Sequence, residues 1–482
     1  MELHDLTPSR EQDAPIYLQL YRRYRDAIAT AKLRPGERVP SVRSLASELN
    51  LARGTVELAY QMLTSEGYFT SRGAAGTFVS PRLESLGEPT HTPAPAAAVA
   101  AQHASPSASA IAMPRPFQLG LPALDAFPRK TWSRLAGRNA RAMDTAALIY
   151  PDIAGYDPLR RAIATYLGIS RGIACTHEQV FVTAGHPGTL ELVCRALLQS
   201  GDTGWYEDPG YLIGRHLLER AGMRLAPVPV DEEGLEVAAG RKRAADARFA
   251  VVTPTHQSPT GVTLSLPRRL ELLEWASQRE AWIVEDDYDS EFRYHGRPLP
   301  ALKSLDRDDR VLYTGTFSKV LFPGLRLAYL VVPASQIERF RETARHLPGP
   351  GSILLQATVA DFMTQGHFAR HLRKMRALYA QRRGFLVEAL THVFDGDLMV
   401  APQAGGIHAL ASLPRGRDDK ALAAAAQQRG LAVQAVSQWQ MRRASGAGLA
   451  ARSGLLIGFT NIVTRDMATR LCEQLLAATR DV

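Results

Sequence analysis

The sequence predicts a small α+β winged helix-turn-helix unit over 15–81 joined to a large α/β unit over 117–482. Three observations carry this expectation. The 482 residues are 45% hydrophobic and 22% charged, an ordinary globular composition at a length that roughly 150 residues per domain divides into about three units. Residues 83–116 contain ten Ala and six Pro with few large apolar side chains; such a stretch buries no core and reads as a flexible linker over 82–116. Beyond it, short β-rich runs alternate with helical stretches, the pattern of a mainly parallel sheet.

In the first unit, Ile16, Leu20, Tyr24, Ala27 and Ile28 recur at helical spacing until Pro35-Gly36 forces a turn. Ser41 offers an N-cap for a second helix over 42–49, which Asn50 stops. A third helix over 52–66 buries Val56, Ala59, Tyr60 and Leu63 and ends at Gly67. Two strands, 68–71 and 77–80, are joined by a glycine-tipped loop from Arg72 to Gly76. In such a module the start of the third helix, with Arg53, Gly54 and Thr55, enters the major groove, Ser41 and Arg43 meet the backbone, and the wing supplies Arg72 and a close approach at Gly76. On spacing alone, Arg43 reads equally as a solvated surface arginine.

In the second unit the β-rich runs are 180–183, 249–253, 282–285, 311–315 and 327–332, with a helix over 266–279, and a smaller α+β subdomain is expected over about 340–482. Ligands of such sheets bind beyond the carboxyl ends of the strands, where most of the polar clusters fall.

Composition excludes several classes. An excess of 57 Lys+Arg over 48 Asp+Glu favours anionic partners, but residues 1–82 hold eleven basic against nine acidic side chains, so no basic tail exists and any nucleic-acid contact needs a shaped module. Cys175, Cys194 and Cys472 are scattered and without CxxC spacing, which speaks against a disulfide framework or a zinc site, and no metal is expected. No apolar run approaches the roughly 18 residues that span a bilayer, so a soluble, cytoplasmic protein without membrane contact is expected.

The segment PGERVPSVRSLASELNLARGTVELAYQMLTSEGYFTSRGAAGTFV resembles the winged helix of GntR-family transcription regulators along its whole length. The resemblance implies that Ser41, Arg43, Arg53, Thr55 and Gly76 touch double-stranded operator DNA.

The densest chemistry lies in THQSPTG, VEDDYDSEF and TGTFSKVLFPGLR. Lys319 follows a strand and is flanked by Thr316, Ser318 and Arg326, a set able to hold a phosphate dianion beside an amine that can form an imine. Asp286 ends an apolar strand and can hold a cationic ring nitrogen, with Tyr288 on the same side of the chain. An acidic surface turn or a metal cluster is the bland reading of the same carboxylates.

Together these segments resemble the fold type I pyridoxal 5'-phosphate (PLP) enzymes of the aspartate aminotransferase class over about 117–480. The resemblance implies that Lys319 forms the internal aldimine, that Asp286 meets the ring nitrogen and Tyr288 the phenolic oxygen, and that Thr316, Ser318 and Arg326 surround the phosphate. It matches Tyr211 in EDPGY to the aromatic stacked on the ring, Gly185 to the phosphate cup and Ser258 to the loop beside the phenolic oxygen. It also matches Tyr150 to a residue that reaches the phosphate of a neighbouring subunit. For both tyrosines core packing is the alternative. A GntR winged helix, a long linker and an aminotransferase-like domain in one chain resemble the MocR-type, PdxR-like subfamily of GntR regulators.

Three positions depart from a working aminotransferase. Ser258 replaces the asparagine of NPTG, with His256 or Gln257 as candidate substitutes. Pro187 stands where the phosphate cup often has glutamine and supplies neither side-chain donor nor N–H. Leu456 occupies the place of the arginine that clamps a substrate carboxylate, and Arg452 is its nearest substitute. The expectation is a homodimeric regulator, symmetric or domain-swapped, whose large domain senses a small-molecule effector, namely pyridoxal phosphate itself. Full transamination turnover is not expected. The alternatives are an active aminotransferase, or a regulator that senses an amino compound through an external aldimine.

Overall fold

The computed structural model describes residues 7–8, 14–81, 113–294, 299–400, 403–414, 417–441 and 453–480. Arg452 and the predicted linker up to residue 112 lie outside them. The chain divides into two compact units, Met1–Ala110 and Ile111–Val482.

The first unit contains α1 (Ile16–Ala29), α2 (Val42–Glu48), α3 (Arg53–Ser65) and the antiparallel pair β1 (Phe69–Ser71) and β2 (Thr77–Val79), in register Phe69↔Val79. Ser41 caps α2 by accepting from the Ser44 N–H at 3.1 Å. Three buried rings hold the unit together: Tyr24 of α1, Tyr60 of α3 and Phe69 of β1 meet edge-to-face with centroids 5.2–5.6 Å apart. The Tyr60 hydroxyl donates to the Pro40 carbonyl at 2.9 Å and lies 3.0 Å from that of Tyr24. The third helix is thereby pinned to the segment that leads into the second.

In the second unit, α4 (Arg129–Arg141) and α5 (Asp157–Arg171) precede β3 (Val180–Thr183), α6 (His186–Leu197), β4 (Thr203–Asp208), α7 (Leu212–Arg220), β5 (Arg224–Asp231), β6 (Gly234–Leu235) and α8 (Val237–Arg243). There follow β7 (Phe249–Val252), α9 (Leu266–Arg279), β8 (Trp282–Asp287), β9 (Val311–Thr316), the single turn α10 (Phe317–Val320), β10 (Ala328–Val331), α11 (Ile337–Ala344), α12 (Ile353–Thr364) and α13 (His367–Phe394). The eight strands order as β3-β10-β9-β8-β7-β4-β5-β6. The central run from β5 to β9 is parallel and β10 is antiparallel to both of its neighbours. A smaller sheet, β11 (Met399–Val400), β12 (His408–Ser412), β13 (Gln434–Ala435) and β14 (Gly454–Gly458), packs with α14 (Asp419–Gln428) and α15 (Arg465–Thr479).

Trp205 of β4 and Trp275 of α9 are fully buried and stack with centroids 3.8 Å apart, fixing one helical layer on the sheet. α9 has the bounds expected from its pattern, with Ser265 as its cap. β8 runs two residues further than its apolar core suggested, so Asp286 lies within the strand. Loops after β3, β4, β7, β8 and β9 leave the sheet on one side and supply the cleft described next.

Candidate functional site

Two surfaces carry chemistry. On the first unit, Ser41, Arg43 and Arg53 are exposed and Thr55 is half-buried at the first turn of α3. The Ser41 oxygen accepts its capping bond, which leaves its hydroxyl proton free to donate. In the wing, the Arg72 guanidinium lies 4.8 Å from the centre of the Phe78 ring, a cation–π contact that holds an exposed arginine in one orientation. Gly76 has φ +102°, and a Cβ there would stand 3.0 Å from the Arg38 guanidinium. Arg38 is therefore a wing cation that motif reading passed over; its signal was the PGER sequence preceding the helices.

On the second unit, β9 delivers Lys319 through α10, whose first turn is fixed by Thr316 accepting from the Ser318 N–H at 3.1 Å. Lys319 Nζ donates to the Gly120 carbonyl at 2.9 Å. Burial pushes the pKa of the amine below the usual lysine value, while Asp289 and Asp286 oppose the shift. Gly120 has φ +74°, a conformation that strains any side chain, and a Cβ there would lie 2.6 Å from Nζ and displace the lysine tip. It went unnoticed in the sequence, where nothing nearby marks it.

The alternation of β8 sends its acids to opposite faces. Asp287 is neutralised by buried Arg171 at 3.1 Å and accepts from Tyr313, a structural role. Asp286 faces the cleft, with burial raising its pKa and His186, 3.6 Å away, pulling it back down. The His186 ring is edge-on to Tyr211 at 5.9 Å. Burial raises the Tyr211 phenol to about 12.

Tyr288 lies at the centre of a buried polar group. His256 Nδ1 is 3.0 Å from its hydroxyl and 3.1 Å from Asp289, and Ser258 lies near it. Gln257 is turned away, bonded to Glu207, Pro209 and Thr260. Of the two substitutes considered for the missing asparagine, the geometry thus brings only His256 to Tyr288.

At the far end of the cleft, Gly185 has φ +82° and a Cβ on it would lie 3.4 Å from the Arg326 guanidinium. Arg326 is exposed and has no carboxylate partner among the described residues. At the start of α6 the N–H groups of His186 and Gly188 lack helical acceptors, and Pro187 removes the donor between them. A phosphate dianion fits this cradle, an aromatic cation fits between Tyr211 and Asp286, and the Lys319 amine, its pKa lowered by burial, stands beside both. The residues present suit pyridoxal phosphate. Tyr150 is not brought to this cleft within the chain: it is 98% exposed, next to exposed Leu148 and Ile149.

Two family models match the chain: "Bacterial regulatory proteins, gntR family" over residues 16–79 and "Aminotransferase class I and II" over residues 124–450. The chain is 37% identical over 444 residues to the probable rhizopine catabolism regulatory protein MocR of Rhizobium meliloti, covering 88% of this chain and 87% of that protein. It is 33% identical over 448 residues to the HTH-type pyridoxine biosynthesis transcriptional regulator PdxR of Corynebacterium glutamicum, covering 92% and 91%. The chain belongs to the MocR-type GntR regulators. The large domain of this MocR-type chain also resembles solved aminotransferases. Kynurenine aminotransferase of Pyrococcus horikoshii superposes with TM-score 0.67 at 26% identity, over 76% of this chain and 90% of that one. LysN of Thermus thermophilus, an α-aminoadipate aminotransferase, gives TM-score 0.67 at 27% identity over 76% and 92%.

At Leu456, where the resemblance leads us to expect a carboxylate-clamping arginine, the surroundings are apolar. Leu456 sits in β14 between Leu410 of β12 and Gln434 of β13. It is fully buried in an apolar cluster with Leu410, Val436 and Trp439, against which Tyr211 and Leu212 pack. A guanidinium in that cluster would lose its water without gaining a partner. No helix among the described residues is long and apolar enough to cross a membrane.

Proposed function

We propose that the chain is a homodimeric cytoplasmic transcription regulator that reads operator DNA with its winged helix over 15–81 and senses pyridoxal phosphate with the domain over 117–482. The observation that carries this reading is a site furnished to hold the cofactor but apolar where a substrate carboxylate would be clamped. Asp286 lies near Lys319 and Tyr288, and Arg326 and Asp286 both lie near Tyr211, while Leu456 is buried among leucine, valine and tryptophan.

When bound, pyridoxal phosphate supplies an aldehyde for a primary amine and an electron-withdrawing ring. The chain's own groups prepare for it. Burial favours the neutral Lys319 amine, whose lone pair is then available. The Asp286 carboxylate can hold a proton at the ring nitrogen. His256 orients the Tyr288 hydroxyl, and Arg326, Ser318 and the open N–H groups of α6 offer donors for a phosphate. Exposed Leu148, Ile149 and Tyr150 support a face that a second subunit covers.

Regulation is then a linkage: a ligand that favours one arrangement of the large domains changes operator affinity only through that preference. An amino compound joined to the cofactor is the alternative effector. The retained Lys319 favours a second reading, an aminotransferase that also binds DNA; steady turnover of an amino donor and a keto acid, lost in Lys319→Ala, would establish it.

The test of the cofactor site is the visible absorption of the full chain titrated with pyridoxal phosphate. The lysine-bound cofactor band is expected in the wild type and absent in Lys319→Ala. A wild type without that band would reduce the large domain to a dimerisation scaffold.

A further inference from the structure

The large domain is basic for a local reason. Residues 117–482 hold 45 Lys+Arg and 37 Asp+Glu. The segments 129–141 and 366–383 hold eleven of those cations and no Asp or Glu. Without these two segments the domain would be acidic, so its excess charge lies on α4 and the first half of α13. Both helices pack on α12.

The cations are brought together rather than dispersed. Arg134 Nη2 lies 3.5 Å from His367 Nε2, and Arg370 Nη1 lies 3.0 Å from His367 Nδ1. His367, Arg370, His371 and Lys374, at helical spacing, share one face of α13. With Thr131 and Asp125 they line a cleft of about 340 Å³. Its single acid is already committed, because Asp125 is paired with Arg382 at 2.6 Å. Asp361 is likewise taken by Arg138. Among the described residues, no carboxylate comes within ion-pair distance of Arg134, Arg370, Arg373 or Lys374, all of them exposed. Loss of solvent and the charges of Arg370 and Arg134 hold the His367 imidazole below its usual pKa.

Like charges at this spacing repel one another, and an anion between them removes the penalty. Arginine forks match phosphate oxygens in pairs. The cations also continue beyond the cleft, to Lys130 on α4 and Arg373 on α13. An extended polyanion matches that run better than a compact ion does.

We propose that the cleft between α4 and α13 binds phosphodiester groups of duplex DNA, so that the large domain makes its own sequence-independent contact with the nucleic acid. This rests on the reading of the chain as a DNA-binding regulator. The probe is an arbitrary-sequence duplex of about 40 base pairs, with its affinity for the full chain measured by fluorescence anisotropy over a salt series. Wild type, the triple variant Arg134→Gln/Arg370→Gln/Lys374→Gln and Arg53→Ala are compared, with melting temperature and cofactor spectrum as controls on folding.

The triple variant is expected to bind about ten-fold more weakly at low salt, with a log–log salt slope smaller by about two to three, since each lost phosphate contact removes about 0.9. Unchanged affinity and slope in a folded triple variant overturn the proposal. It is equally overturned if inorganic phosphate raises the melting temperature of the wild type alone while duplex binding is the same in both. If Arg53→Ala weakens binding and the triple variant does not, the regulator reading stands and this inference falls. If the wild type binds no duplex, the regulator reading itself falls.

Discussion

At the scale of single residues, burial sets the chemistry of the cleft more than net charge does. Loss of solvent disfavours the charged forms of both Lys319 and Asp286, which leaves more of the amine in its nucleophilic form and makes the carboxylate gain from a cationic partner. His408 shows the same principle in the scaffold. It is buried, its Nε2–H donates to the Pro259 carbonyl at 3.0 Å, and burial lowers its pKa to about 4. The unfolded chain takes up a proton at this histidine near pH 6.5, whereas the folded chain resists until about 4. Its contribution to stability is therefore full above pH 6.5 and is lost as pH falls toward 4, by about 3 kcal/mol in all. Urea unfolding at neutral and mildly acid pH should show this loss in the wild type, and His408→Gln should flatten the pH dependence. Equal pH slopes in the two proteins would refute the assignment. Lys319, Asp286, Tyr288 and Arg326 were legible in the sequence because each lies in a compact motif. His186 and Gly120 were not, since their relevance depends on contacts to Asp286 and Lys319 across the fold.

At the scale of elements, strands and helices with clean periodicity were read nearly as they occur, as with α9 and β3. β4 and β5 were missed. The β5 segment reads RLAPVPVD, and its Pro227 and Pro229 argue against a strand. They are tolerated because β5 pairs fully with β4 on one side, while on the other β6 reaches only Val230 and Asp231. In the winged helix, Tyr60 joins α3 to Pro40 and Tyr24. Tyr60→Phe leaves that carbonyl and that hydroxyl without their partner and is expected to cost the domain about 1–3 kcal/mol, read as a lower urea midpoint with fold retained. Arg53→Ala or Arg43→Ala should weaken operator binding and leave the visible cofactor spectrum unchanged. Collapse of that spectrum would contradict the division into a DNA-reading unit and a cofactor-holding unit.

At the scale of the whole molecule, a GntR winged helix is joined to an aminotransferase fold that is apolar core at Leu456, where the resemblance leads us to expect a carboxylate-clamping arginine. Domain order and fold were legible because each unit has its own periodicity and motifs. The concentration of positive charge on α4 and α13 was not, because two segments more than 200 residues apart have to fold before their charges meet. Exposed Leu148, Ile149 and Tyr150 lead us to expect a dimer in solution, and light scattering should give twice the chain mass. Occupancy of the site at Lys319 is expected to change operator affinity. The most direct test is the affinity of the full chain for operator DNA selected from a random pool, measured with and without pyridoxal phosphate in the wild type and in Lys319→Ala. A coupling of 5- to 150-fold, about 1–3 kcal/mol, is expected in the wild type and none in the variant. An affinity that pyridoxal phosphate leaves unchanged in the wild type, or shifts equally in both proteins, would show that the site at Lys319 does not control DNA binding.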